Sequence, residues 1–241
     1  MKMSITDFGS CSAPLDLPAQ PHPREASSAD HADRNVRAAR TVYAHAGKRG
    51  LETVLILATL PVVLPLILIL TIMVALDGGK PFFAQQRIGR GGQVFRIWKL
   101  RTMVLDADRK LEAHLASDPE ARLQWDRTQK LKSDPRVTRT GRLLRATSMD
   151  ELPQLLNVLN GTMSLVGPRP MMVCQKPMYD GLSYYQLRPG ITGLWQISAR
   201  NESEFVARVK YDDQYADSLS LRTDLSILAR TIPVVLRRTG Y

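Results

Sequence analysis

The chain has 241 residues, room for one domain of ordinary size plus a tail. Its 33 Lys and Arg against 23 Asp and Glu give a formal net charge of +10, which favours anionic partners: nucleic acid, an anionic bilayer or a phosphorylated substrate. Aromatic residues at 6% argue against a base-stacking surface, and His22, His31, His45 and His114 lack the spacing of a zinc site. Only two cysteines occur, Cys11 and Cys174, and one lies in a polar segment, so the default is a reducing cytosol without a structural disulfide.

Residues 1–46 are rich in Ala, Ser, Pro and Asp and poor in large apolar side chains, which predicts a mostly disordered tail ahead of one domain over 47–241. Thr53 to Leu76 then runs without a charge. A helix of that length measures about 36 Å, longer than a hydrocarbon core of roughly 30 Å, so length alone predicts a spanning helix. Pro61 and Pro65 each remove a backbone donor inside the run and favour a kink. Both flanks are basic: Lys48 and Arg49 before, and Lys80, Arg87, Arg90, Arg96, Lys99 and Arg101 after. Positive flanks mark the cytoplasmic side, and two of them suit a kinked helix that enters one leaflet and returns. On composition, a proline-kinked spanning helix stays open.

Pro81 to Met103 reads as a β-hairpin turning at Gly89-Arg90-Gly91-Gly92, glycines that serve a tight turn or, alternatively, cradle phosphate. Helices are predicted over Asp106–Leu115 and from Pro119 to about Lys130, the second capped by Asp118. Another is predicted from Ser148 to Asn160, with Gly161 as its stop. Ser203–Ser218 and Leu221–Arg238 are amphipathic; the last pattern suits either core packing or an anionic bilayer surface.

The residue types that carry chemistry gather at Ser148-Met149-Asp150-Glu151-Leu152-Pro153-Gln154 and Gly167-Pro168-Arg169-Pro170. Ser148 and Glu151 have capping-box spacing, which by itself explains the acids as a well-made helix start. Arg142, Arg145 and Arg169 lie close in sequence, and a carboxylate beside arginine at a helix N-terminus should have a lowered pKa. An ionised aspartate can attack phosphorus or hold Mg²⁺, and arginines neutralise the group being transferred.

These segments resemble the monotopic phosphoglycosyl transferases, bacterial enzymes that load undecaprenyl phosphate. The resemblance runs from about Lys48 to Tyr241. It rests on Gln86-Arg87-Ile88-Gly89, Phe95 through Met103, Asp134-Pro135-Arg136-Val137-Thr138, Ser148 through Gln154, Met163 through Pro170, and Arg188-Pro189-Gly190-Ile191-Thr192-Gly193-Leu194-Trp195-Gln196. It implies an α/β (α+β) monotopic membrane protein at the cytoplasmic face of the inner membrane. A re-entrant helix over 50–77, a small, mostly antiparallel sheet and interfacial amphipathic helices are expected. Asp150 would attack the β-phosphate of a UDP-sugar, release UMP and pass the sugar phosphate to undecaprenyl phosphate. Glu151 would be the second catalytic acid, Asp150 would contact Mg²⁺, and Lys99, Arg101, Arg145, Arg169 and Arg188 would bind phosphates. The membrane helix would break at Pro65, helped by Pro61; Leu64 stands where the family has serine, and Met149 where it has leucine or isoleucine. Trp125, Lys130-Leu131-Lys132 and Arg237 to Tyr241 look like members that start exopolysaccharide or O-antigen repeats with galactose or glucose phosphate. Inner-membrane lipids and downstream glycosyltransferases are the implied partners, nucleic acid is not, and homo-oligomerisation stays open. The competing readings are an inactive membrane-tethered scaffold of a polysaccharide export complex and a basic binding module.

Overall fold

The computed structural model describes residues 43–128, 131, 133–198 and 205–236. The tail through Thr41 and Val42, Lys130, Lys132 and Arg237–Tyr241 lie outside the described residues. A short π turn, Tyr43–Gly47, enters α1, Lys48–Leu76. The hairpin follows as β1, Phe82–Ile88, and β2, Val94–Leu100, antiparallel in the register Phe83↔Lys99 and Ile88↔Val94. Its turn is a glycine device: Gly91 and Gly92 have φ of 68° and 77°, and Gly89 N–H donates to Gln93 O at 2.7 Å. The predicted helix pair appears as α2, Ala107–Ser117, and α3, Pro119–Thr128, with Asp118 Oδ1 accepting from Ala121 N–H at 3.0 Å.

Then come α4, Arg139–Thr147, a 3-10 segment Met149–Gln154, and α5, Leu155–Leu159. The one helix expected over Ser148–Asn160 is thus a 3-10 turn, with Pro153 inside it, running into a single α turn. β3, Ser164–Val166, pairs in parallel with β4, Gly190–Thr192, across a crossover that holds a 3-10 turn, Val173–Met178, and α6, Ser183–Gln186. The architecture is α+β, but the described strands form two separate two-stranded sheets rather than one, and the second is parallel. The chain continues through α7, Leu194–Ser198, a 3-10 turn at Phe205–Ala207, α8, Arg208–Asp217, and α9, Leu221–Leu236. Cys174 is disulfide-bonded, against the sequence reading; Cys11 lies outside the described residues.

The 29-residue α1, about 43 Å along its path, carries both Pro61 and Pro65 inside it. Only 11% of its most apolar window is buried, so it is not a core helix. Its two halves each rest a stripe on the body. Ile56 and Leu60 pack with Ile97, Val158 and Met163, whereas Leu66, Leu70, Met73 and Val74 pack with Leu100, Leu144, Met149 and Leu152. Val54, Leu57, Val62, Leu68, Ile72 and Leu76 form the exposed side.

Both ends of α1 are fastened by polar contacts. Lys48 Nζ reaches Glu52 Oε1 at 3.0 Å and Asp224 Oδ2 at 2.5 Å. Buried Glu52 accepts from Ser164 Oγ at 2.5 Å and Leu165 N–H at 3.0 Å, and Tyr43 and Tyr215 donate to Asp224. Charged groups this deep hold only when paired and hydrogen-bonded. At the other end Arg101 donates to the carbonyls of Val74, at 3.1 Å, and Gly78.

Candidate active site

The acid pair is placed by the way α4 ends. Ser148 has φ 56°, the left-handed conformation of a helix C-cap, and its N–H donates to Arg145 O at 3.1 Å. Its side chain caps nothing, so the expected capping box does not form. Ser148 O accepts instead from Glu151 N–H at 3.2 Å, which opens the 3-10 turn. Three residues per turn put Met149 and Leu152 on one face, packed under α1, and Glu151 and Gln154 on another.

A second element supplies the cation. Asn157, 1% exposed, accepts from Trp98 N–H at 3.2 Å and donates to Arg96 O at 2.8 Å, so its amide pairs with β2 as a neighbouring strand would. This fastens α5 to β2 and brings Lys99 over the acids. Lys99 Nζ lies 2.7 Å from Glu151 Oε1 and 3.6 Å from Asp150 Oδ2.

The Gly167–Pro170 turn brings Arg169, whose Nη2 is 3.9 Å from Glu151 Oε1. Gly167 N–H donates to Thr192 O, and Gly190 N–H to Pro168 O, which sews the turn to β4. A Cβ on Gly190 would stand 2.1 Å from Gly167 N, so this close approach requires glycine. Arg87 donates to Pro170 O at 3.2 Å, and buried Arg208 donates to Arg169 O and lies 5.2 Å from the Trp195 ring centroid. Arg87, Lys99, Glu151, Gln154 and Arg169 then line a cleft with Ile97 and Ile191 as its apolar wall.

The electrostatics divide the two acids. Burial raises the Glu151 carboxyl, but Lys99 and then Arg169 overcome it and hold it at about 2. Asp150 is raised above the usual carboxylate range: burial dominates, Lys99 opposes it and the Glu151 charge adds to it. This reverses the lowered pKa expected for Asp150, because burial outweighs the neighbouring cations. Burial, with repulsion from Arg169, pushes Arg87 down to about 10. Arg208 is also lowered, first by burial and also by Arg169, while Asp212 works the other way. Arg87 and Arg169 line the cleft and repel one another, and the Arg208 charge acts on both, which favours an anion within it.

Residues 43–238 match the family model described as bacterial sugar transferase. The chain belongs to the bacterial sugar transferase family. It is 47% identical over 195 residues to the UDP-galactose-lipid carrier transferase of Erwinia amylovora, covering 80% of this chain and 41% of that protein. It is 45% identical over 195 residues to the undecaprenyl-phosphate galactose phosphotransferase of Salmonella typhimurium, with the same coverage. The chain thus spans about two-fifths of the length of these relatives. The exopolysaccharide production protein ExoY of Sinorhizobium fredii is 44% identical over 198 residues, covering 80% of this chain and 88% of that protein.

In this bacterial sugar transferase the structure gathers Asp150, Glu151, Lys99 and Arg169. Arg145 is nearby, sensing the Asp150 charge, with its Nε donating to Thr102 Oγ1 at 2.9 Å. Arg101 is directed to the end of α1 instead. Arg188 does not line the cleft; its charged neighbours are Arg49, Glu52 and Arg90. Sequence reasoning assigned no site role to Arg87, Gln154, Asn157 or Arg208. Asn157 stands polar inside an otherwise apolar turn, a signal that was readable; Arg208 carried none. Among the described residues no three His, Cys, Asp or Glu gather as a metal cage. Asp150, whose ion-pair partner is Lys99 alone among the described residues, suits a Mg²⁺ that takes one carboxylate and completes its shell with substrate phosphates and water.

Proposed function

We propose that this chain transfers a sugar 1-phosphate, galactose or glucose phosphate, from a UDP-sugar to undecaprenyl phosphate. The observation that carries the reading is an acid pair under one lysine, with Glu151 and Lys99 lining an arginine-rimmed cleft and with Met149 and Leu152 of the same 3-10 turn packed against an apolar helix. The names of the relatives supply the substrates. An Asp150 oxygen attacks the β-phosphorus of the donor; the phosphoanhydride bond breaks and UMP leaves. A phosphate oxygen of the lipid then attacks the same phosphorus, the aspartyl–phosphorus bond breaks, and the Asp150 carboxylate returns. Lys99, Arg169 and Arg87 neutralise the phosphoryl oxygens, and Glu151, held ionised, keeps Lys99 aimed at Asp150. Asp150 would hold Mg²⁺, which when bound draws charge from the donor phosphates. The product would begin a repeat unit for downstream glycosyltransferases.

The packing of α1 supports a monotopic placement at the cytoplasmic face of the inner membrane. Its first turn, through Lys48 and Glu52, and its end, through Val74 and Gly78, both touch the same polar body. A spanning orientation would draw part of that body into hydrocarbon, where its charges are costly. In the re-entrant placement the exposed stripe of α1 meets lipid and the cleft meets the headgroup level.

The test is incubation of purified protein with labelled UDP-galactose or UDP-glucose, undecaprenyl phosphate and Mg²⁺. Label should enter the lipid and UMP should appear, and Asp150→Asn should abolish both. Full transfer by Asp150→Asn would remove the assigned nucleophile, and no transfer with any UDP-sugar would favour a scaffold.

A further inference from the structure

Arg87 and Arg169, which line the cleft together, come from separate segments of the chain. Arg87 and Ile88 end β1, and Arg169 precedes Pro170 and Met171. Ile88 N–H donates to Met171 O at 3.0 Å. A hydrogen-bonded pair on adjacent antiparallel strands exchanges two such bonds. Here one is direct and the other passes through a side chain. Met171 N–H donates to the Tyr184 hydroxyl at 3.1 Å, and that hydroxyl donates to Ile88 O at 2.5 Å. Burial pushes the phenol up to about 12, so it stays protonated and serves both bonds at once. Tyr184 is fully buried, and its ring rests against Tyr179 and Tyr185, each with its centroid 5.5 Å away. The hydroxyl is therefore a fixed spacer. Without it, Met171 N–H and Ile88 O either close on each other, which narrows the gap, or stay unpaired, which loosens it.

We infer that Tyr184 is a positioning residue whose hydroxyl sets the spacing of Arg87 and Arg169 around the donor phosphates. It acts through the two arginines and touches no reacting atom. The inference rests on the sugar-phosphate transfer reading. Cations placed for a phosphoryl group lose their grip when the gap between them changes, and a misplacement of about 1 Å costs on the order of 100-fold. Removing the hydroxyl alone should therefore lower kcat/KM by roughly 10- to 100-fold.

The experiment compares wild type, Tyr184→Phe, Arg87→Gln and the double variant. UMP release from UDP-galactose or UDP-glucose gives kcat/KM, calorimetric titration with UDP gives affinity without turnover, and the melting temperature in detergent reports the fold. Tyr184→Phe should lower kcat/KM by that factor and weaken UDP binding roughly tenfold while still melting cooperatively. In the Arg87→Gln background the same change should cost less than about threefold, because one of the arginines it positions is already gone. A merely structural hydroxyl would cost the same in both backgrounds. Unchanged kinetics and UDP affinity in Tyr184→Phe, or equal losses with and without Arg87, overturn the inference alone, as does a Tyr184→Phe protein that does not fold. Absence of wild-type turnover with every UDP-sugar overturns the transfer reading, and the UDP titration then decides the inference by itself.

Discussion

Lys99→Met removes the ammonium that touches both acids and keeps the side chain's length. At 3.6 Å from Asp150 Oδ2, an effective dielectric of about 20 gives an attraction of about 4–5 kcal/mol. At 1.36 kcal/mol per pKa unit that is a ceiling of about three units, and solvent screening of a partly exposed amine reduces the expectation to about one to two. The sign follows from Asp150 being an acid already raised by burial: losing the cation raises it further. Less of the nucleophile is then ionised at a given pH, so the acid limb of kcat/KM for UMP release should move up by about one to two units. Glu151→Gln removes the like charge beside Asp150 and should move the same limb down. A limb that stays in place in Lys99→Met, or that moves in the same direction in both variants, would refute the assignment of Asp150 as the titrating nucleophile.

Three further outcomes are expected. Arg208→Gln withdraws the donor from the Arg169 carbonyl and the cation over Trp195, and should raise the donor KM about tenfold with a smaller change in kcat, measured by steady-state kinetics. Glu52→Ala leaves Leu165 N–H without its acceptor and Lys48 with Asp224 alone, while Ser164 Oγ keeps Val166 O, and should cost about 3 kcal/mol, seen as a lower melting temperature in detergent. Cysteines placed at exposed Gly47 and Lys80 should both resist an impermeant thiol reagent added from the periplasmic side; labelling at one of them would establish a spanning helix.

The sequence disclosed the acid pair, the Arg169 turn, the hairpin and the apolar helix, because each depends on residue type or short-range pattern. It misread what depends on competition between partners. Ser148 had capping-box spacing, but α4 needed a left-handed C-cap, and Glu151 found Lys99. Arg101 donates to the carbonyls of Val74 and Gly78 at the end of α1, partners that nothing near it in the sequence announces. Three-residue strands such as β3 and β4 carry too little alternation to be recognised, and their pairing is set by a crossover and by glycine contacts far apart in the chain. Arg87 was visible only as one more basic flank residue, since its role depends on where Pro170 ends up.

The Asn157 amide has a consequence beyond docking α5. By taking the N–H of Trp98 and the carbonyl of Arg96, it occupies the outer edge of β2. A two-stranded ribbon with an open edge is a template for another chain to pair onto, and confinement to a membrane surface raises the encounter rate between copies. The Asn157 side chain fills one rung of that edge, the Trp98 N–H and the Arg96 carbonyl, and so denies it to a second backbone.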